Sequence, residues 1–111
     1  MAGKVRIPAP AKGIGPSGRE LWRDVLSKYE LEEHELALLR EACRTADDLD
    51  ALAAVSAREG VTVDGRIHPA VVEARQLRVT LARLVAALRL PAGDEDDQAA
   101  GRRPQRRVGA R

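Results

Sequence analysis

An all-α fold is predicted for this chain: a short first helix, then a long antiparallel helical hairpin whose connection is a small β-hairpin. Three observations predict it. Apolar residues recur at helical spacing over two long stretches. Gly60 and Pro69 bracket a short segment in which Asp64-Gly65 sits between β-branched residues, the pattern of a two-residue reversal. The chain has one Trp, one Tyr and no Phe, so its core must be built from Leu, Val and Ala. So thin a core, with no disulfide or metal, is usually completed by a partner, and the fold is expected to be oligomeric.

Residues 1–16 hold three prolines, three glycines and the cations Lys4, Arg6 and Lys12, with no acid and no apolar period. They read as a flexible basic arm. Ser17-Gly18-Arg19-Glu20 has the spacing of a capping box, and Leu21, Trp22, Val25 and Leu26 form a stripe, so a helix is expected from Ser17 to about Lys28. Trp22 is its anchor on the core. Tyr29-Glu30-Leu31 is a connector.

Glu32, Glu33 and Glu35 complement the N-terminus of a second helix, which runs to about Glu59 and stops at Gly60. Leu36, Leu39, Ala42, Cys43, Ala46, Leu49, Ala53 and Ala57 share one arc of roughly 140° on it. Asp50 lies inside that arc and Asp47 on its edge. Buried carboxylates need partners. Folding the pair about Asp64-Gly65 brings Asp50 near Arg75 or Arg78, so a structural ion pair is expected there, within or between subunits.

Pro69 opens a third helix, expected to reach about Leu90, with His68 capping it. Leu77, Leu81, Leu84 and Leu88 line one face. Val72, Val79, Ala86 and Leu90 line the nearly opposite face, flanked by Arg75, Arg83 and Arg89. The hairpin partner covers one stripe. The other needs a neighbouring subunit or, alternatively, the Trp22 helix. Residues 17–90 thus form the helical core and oligomerisation domain. Residues 91–111 read as a disordered tail: Asp94-Glu95-Asp96-Asp97, then Arg102, Arg103, Arg106, Arg107 and Arg111. That tail either contacts nucleic acid or folds back on its own acids.

The sequence offers no catalytic pattern. His34, Cys43 and His68 lack metal-ligand spacing, and neither a phosphate-binding Gly-rich loop nor a nucleophile elbow occurs. No enzyme, cofactor or metal is expected. A lone Cys43 fits a reducing cytoplasm, and neither a signal peptide nor a membrane span is apparent. The formal charge is only +2, yet the pI near 9.1 conceals basic ends and acidic helices. Cations on mobile arms gain affinity for DNA by releasing counterions, without reading bases. Lys4, Arg6, Lys12 and the tail arginines are therefore the candidate contacts to double-stranded DNA. Copies held together would multiply them.

Leu21-Trp22, Tyr29-x-Leu31, Leu39 and Cys43 are followed by Gly65-Arg66-Ile67-His68-Pro69, Glu73-x-Arg75, Leu81-x-x-Leu84 and Leu88-x-Leu90-Pro91. From Ser17 to Pro91 this resembles the small subunit of a tailed-phage terminase, of the short type found in phages of actinobacteria. The His-Pro step is the most specific part. The resemblance implies ring assembly, binding of viral DNA at the start of packaging in the host cytoplasm, and delivery to a large subunit that carries the ATPase and nuclease. It implies no catalytic site in this chain. Some members carry a separate N-terminal helix-turn-helix domain, which these residues do not show, so the DNA contacts are placed by charge. A reading of another class is a helical protein–protein interaction module, scaffold or antitoxin-like, with tails that only confer solubility.

Overall fold

The computed structural model describes residues 7–91 and 106–107. Helix α1 spans Pro16–Leu26, strand β1 Tyr29–Glu30, helix α2 Glu33–Glu59, strands β2 and β3 Thr62–Val63 and Arg66–Ile67, helix α3 Pro69–Leu88, and strand β4 Arg106–Arg107. The described chain is thus mostly helical. α2 has 27 residues and is about 40 Å long at the usual helical rise. It sets the long axis of a molecule measuring 59 × 32 × 20 Å.

The reversal forms where its residues require it. Asp64 and Gly65 adopt φ of +52° and +75°, the left-handed pair that matches strand twist in a tight hairpin. β2 and β3 pair antiparallel, Thr62 with Ile67 and Val63 with Arg66. The His68 N–H donates to the Val61 carbonyl at 2.8 Å. α2 enters the turn through Gly60, at φ +88°, and α3 leaves it with Pro69 at its start. At the other end of α2, Glu32 forms a capping box: its side chain accepts from the Glu35 N–H, and the Glu32 N–H donates to Glu35 Oε1 at 2.7 Å.

Two periodicities explain how α2 is shared. Leu38, Ala42, Thr45, Leu49, Leu52 and Ser56 recur at alternating four- and three-residue steps and are buried or half-buried. Ala70, Ala74, Leu77, Leu81, Leu84 and Leu88 do the same on α3. This is a coiled-coil-like seam. The hydroxyls within it bond back along the helix, Thr45 Oγ1 to the Glu41 carbonyl at 2.8 Å and Ser56 Oγ to the Leu52 carbonyl at 3.2 Å. A second face, with Leu36, Leu39, Cys43 and Asp47, receives α1. The single arc expected for α2 merged these two faces. Ala53 and Ala57 are exposed rather than core, because α1 covers only the first half of α2.

The core sits where α1, the start of α2 and the end of α3 converge: Ile14, Trp22, Val25, Leu26, Leu39, Cys43 and Leu88 are all buried. Trp22 is the anchor its size predicts. The preceding arm is not free along its whole length. From Ile7 onward it lies against this core: Ile14 is 2% exposed, and the Trp22 indole N–H donates to the Pro8 carbonyl at 2.7 Å. Lys4 and Arg6 lie outside the described residues, and Lys12 is exposed.

α1 begins at Pro16, with Gly15 as its N-cap, and not at a Ser17 capping box. Its N-terminus is capped from α2. One Asp47 carboxylate accepts from the Gly15 N–H at 2.6 Å and the Gly18 N–H at 2.8 Å. Asp50 accepts from the Ser17 hydroxyl. The expected ion pair of Asp50 with Arg75 or Arg78 is not formed within the chain. Both arginines are exposed, and the carboxylates instead satisfy the orphan amides and a hydroxyl of α1.

Pro91 is buried, and its carbonyl accepts from the Tyr29 hydroxyl at 2.7 Å. In the tail, β4 pairs antiparallel with β1, Tyr29 opposite Arg107 and Glu30 opposite Arg106. The tail expected to be disordered therefore has two points of attachment to the base. Its acidic run and Arg102, Arg103 and Arg111 lie outside the described residues.

Candidate functional site

α3 presents its seam to α2 and leaves the opposite face uncovered. Val72 is 44% exposed and Val79 48%. Val72, Val79 and Ala86 are spaced by sevens, so they form one row along the helix axis. The turn adds Val61, Val63 and Ile67, all more than 40% exposed. Single exposed valines are ordinary; here two share one row of α3 with Ala86, and the turn carries three more exposed apolar side chains. α1 does not shelter this row, since it docks on α2. Leu90, expected on the same row, is half-buried against the core. α3 ends at Leu88 and Arg89 adopts φ +55°, which turns Leu90 away from the row.

Cations border this surface. Arg75, Arg78 and Arg83 are exposed on α3, and none forms an ion pair among the described residues. A second basic edge lies at the base, where Arg19 and Arg23 on α1 face Ile7–Pro10 across a hollow of about 260 Å³. The exposed valines of the turn and the Arg19–Arg23 edge were not singled out from the sequence. The signal for the latter was the four-residue spacing of two arginines on the exposed side of α1.

The titratable groups that are tied down serve structure. His68 Nδ1 accepts from the Ala70 N–H at 2.9 Å, which leaves the proton on Nε2, and Nε2 meets Glu59 Oε1 at 2.7 Å. The imidazole is thus the N-cap that its position before Pro69 predicts, and it also ties the end of α2 to the start of α3. The hydrogen bond from His68 is the main cause that holds the Glu59 carboxyl below its ordinary value of 4.5. A lowered folded-state pKa means that this link contributes in full above about 4.5 and is lost as pH falls through the lowered value. The tip is therefore expected to loosen first in acid. Amide exchange protection at Ala70 and Val71 should fall between about pH 6 and about pH 3, measured by NMR against core amides such as Leu39. Equal protection at both ends of that range would contradict the assignment.

Burial raises the Cys43 thiol to about 11, with the Asp47 charge adding to it. Such a thiol is inert while the fold persists. Among the described residues no His, Cys, Asp and Glu cluster is placed to hold a metal, and no helix is long and apolar enough to cross a membrane. No protein-family model, curated protein or solved structure matches the chain.

Proposed function

We propose that this protein is a non-catalytic DNA-packaging adaptor of the terminase small-subunit type. Several copies assemble through α3, hold duplex viral DNA by their basic surfaces, and deliver it to a large subunit that supplies the ATPase and nuclease in the host cytoplasm. The observation that carries the reading is the uncovered valine row on α3, diametrically opposite its buried seam. One hairpin cannot cover both faces of its last helix, and a second copy offers matching apolar surface. The residues behind the family resemblance are consistent with it: Gly65 through Pro69 build the turn and the cap that set α3 against α2.

Charge supports the DNA-binding part. Contacts of this kind are salt-sensitive and indifferent to sequence. The test combines sedimentation velocity with a duplex mobility shift. A defined multi-subunit species that shifts duplex DNA at low salt, and releases it as salt rises, is the expected result. A species that never exceeds one or two copies and ignores DNA at every salt would reject it. That outcome would favour the interaction-module alternative, for which the apolar tip of Val61, Val63 and Ile67 is the specific observation.

A further inference from the structure

We infer that the valine row of α3 docks on the second half of α2 in another copy of this chain, with Arg75, Arg78 and Arg83 set against Asp47, Asp48 and Asp50 there. Copies then join head to tail, through two different surfaces. The inference deepens the assembly part of the reading above and rests on it.

At 100° per residue, an arc of roughly 140° on α3 runs from Arg78 through Val79 to Arg83. It also holds Val71, Val72, Arg75, Ala82 and Ala86, and no acid. Glu73, the one acid of α3, lies outside it. All of the arc but the half-buried Val71 is exposed, and none of the three arginines forms an ion pair among the described residues. The face is apolar along its middle, with guanidinium groups on either side.

That charge disfavours a symmetric contact. Two copies pairing α3 on α3 would bring the three arginines of each onto one interface with no carboxylate between them, and like charges juxtaposed at an interface oppose binding. The complementary surface is one that is small-sided or apolar, and acidic.

α2 offers such a surface. The N-terminus of α1 meets it at Asp47 and Asp50. Past that point Ala51, Ala53, Ala54 and Ala57 are exposed, and side chains this short let a second helix approach closely. Asp47, Asp48 and Asp50 stand at the near end of this shelf. Asp47 and Asp50 bond to amides and a hydroxyl, which carry no net charge, and no cation pairs with any of the three among the described residues. Arg44 and Arg58 of α2 are turned instead to Glu41 and, at 3.9 Å, to Glu59. Asp50 and Ala57 are as far apart in sequence as Val72 and Val79, about 10 Å on each helix. The valines can thus lie on the alanines while the guanidinium groups meet the carboxylates. Each docked copy keeps one surface open, so the contact propagates until the rotation closes it.

The test mixes two full-length variants and reads them by sedimentation velocity. Val79→Asp blocks the α3 face and Ala54→Arg blocks the α2 shelf. Both positions are exposed, and unchanged helicity and melting temperature would show that each variant keeps its fold. Each alone is expected to remain a single chain, and their equimolar mixture to form a two-chain species, because one intact pair of surfaces survives between them. If the wild-type chain assembles and Ala54→Arg assembles as it does, or the mixture stays single-chain at every concentration, the inference falls while the assembly reading stands. If the wild-type chain is single at every concentration, both fall. Salt supplies an independent sign. Wild-type assembly should weaken as sodium chloride rises from about 50 to about 300 mM, because the opposite charges are screened. Assembly that holds or strengthens over that range would show no attraction between opposite charges and overturn the inference.

Discussion

Gly18→Ala is expected to lift α1 off α2. A Cβ at this position would stand 2.6 Å from Asp47 Oδ2, 2.6 Å from Ile14 Cγ2 and 2.7 Å from the Cys43 carbonyl oxygen. The last is helix backbone and cannot swing aside. Ile14 is packed in the core and Asp47 is engaged with two amides. Overpacking of this kind costs about 1–3 kcal/mol, and the backbone contact places Gly18→Ala at or above the upper end. Urea unfolding should show the loss as a lower midpoint at unchanged slope. Cys43 supplies a local readout, because it is buried beneath α1 and its thiol is held near 11. Under native conditions the wild-type thiol should resist an aromatic disulfide reagent, while the variant should react at a rate set by α1 detachment. A midpoint within error of wild type would show that α1 does not cross α2 at this glycine.

Asp47→Ala is expected to be the most damaging loss of a polar group. The carboxylate caps α1 from another helix, satisfying two amides 29 and 32 residues away in sequence. Charge-assisted hydrogen bonds contribute about 1.5–3 kcal/mol each. The two share one acceptor group that is only half-buried, so about 2–3 kcal/mol is expected in total. Asp47→Asn should recover part of this, since its amide oxygen accepts from one N–H while its NH₂ opposes the other. The change and Gly18→Ala should not add. Removing the carboxylate also removes one of the atoms that the alanine methyl strikes, so the double variant should be more stable than the sum of the single losses implies. Chemical denaturation of all four proteins gives the coupling. Strict additivity would contradict the geometry at this crossing.

Much of the hairpin was legible because its determinants are local. Asp64-Gly65, Gly60, His68-Pro69 and the leucines from Leu77 to Leu88 each act within a few residues of themselves, and each does what its chemistry dictates. What was missed is nonlocal. Ser17 followed by Glu20 satisfies the capping-box pattern, yet a carboxylate from α2 reaches the same helix end, and Pro16 at the first helical position was the better boundary signal. Asp47 was read as needing a partner and has two; Asp50, read as lying on the buried arc, is exposed and accepts from the Ser17 hydroxyl. Their partners are amides and a hydroxyl, which leave no charge pattern in a sequence. The seam of α2 was hidden by Thr45 and Ser56, polar by type but self-satisfied within their own helix. The Val72, Val79 and Ala86 row could be read from spacing alone. Leu90 could not, because the left-handed turn at Arg89 follows from how α3 ends against the base.

The uncovered row on α3 bears the weight of the functional reading, and it can be tested by one charge. Val79 lies mid-helix, 48% exposed and opposite the seam, so Val79→Asp leaves the intramolecular core untouched and places a carboxylate in the middle of the proposed contact. Buried without a partner, that carboxylate costs several kcal/mol per interface. Sedimentation velocity of the wild-type and Val79→Asp proteins at matched concentrations is the direct measurement. The expected result is a multi-subunit wild-type species and a single-chain variant of equal helicity and melting behaviour. A wild-type protein that stays a single chain at every concentration, or a variant that assembles as the wild type does, would contradict the account.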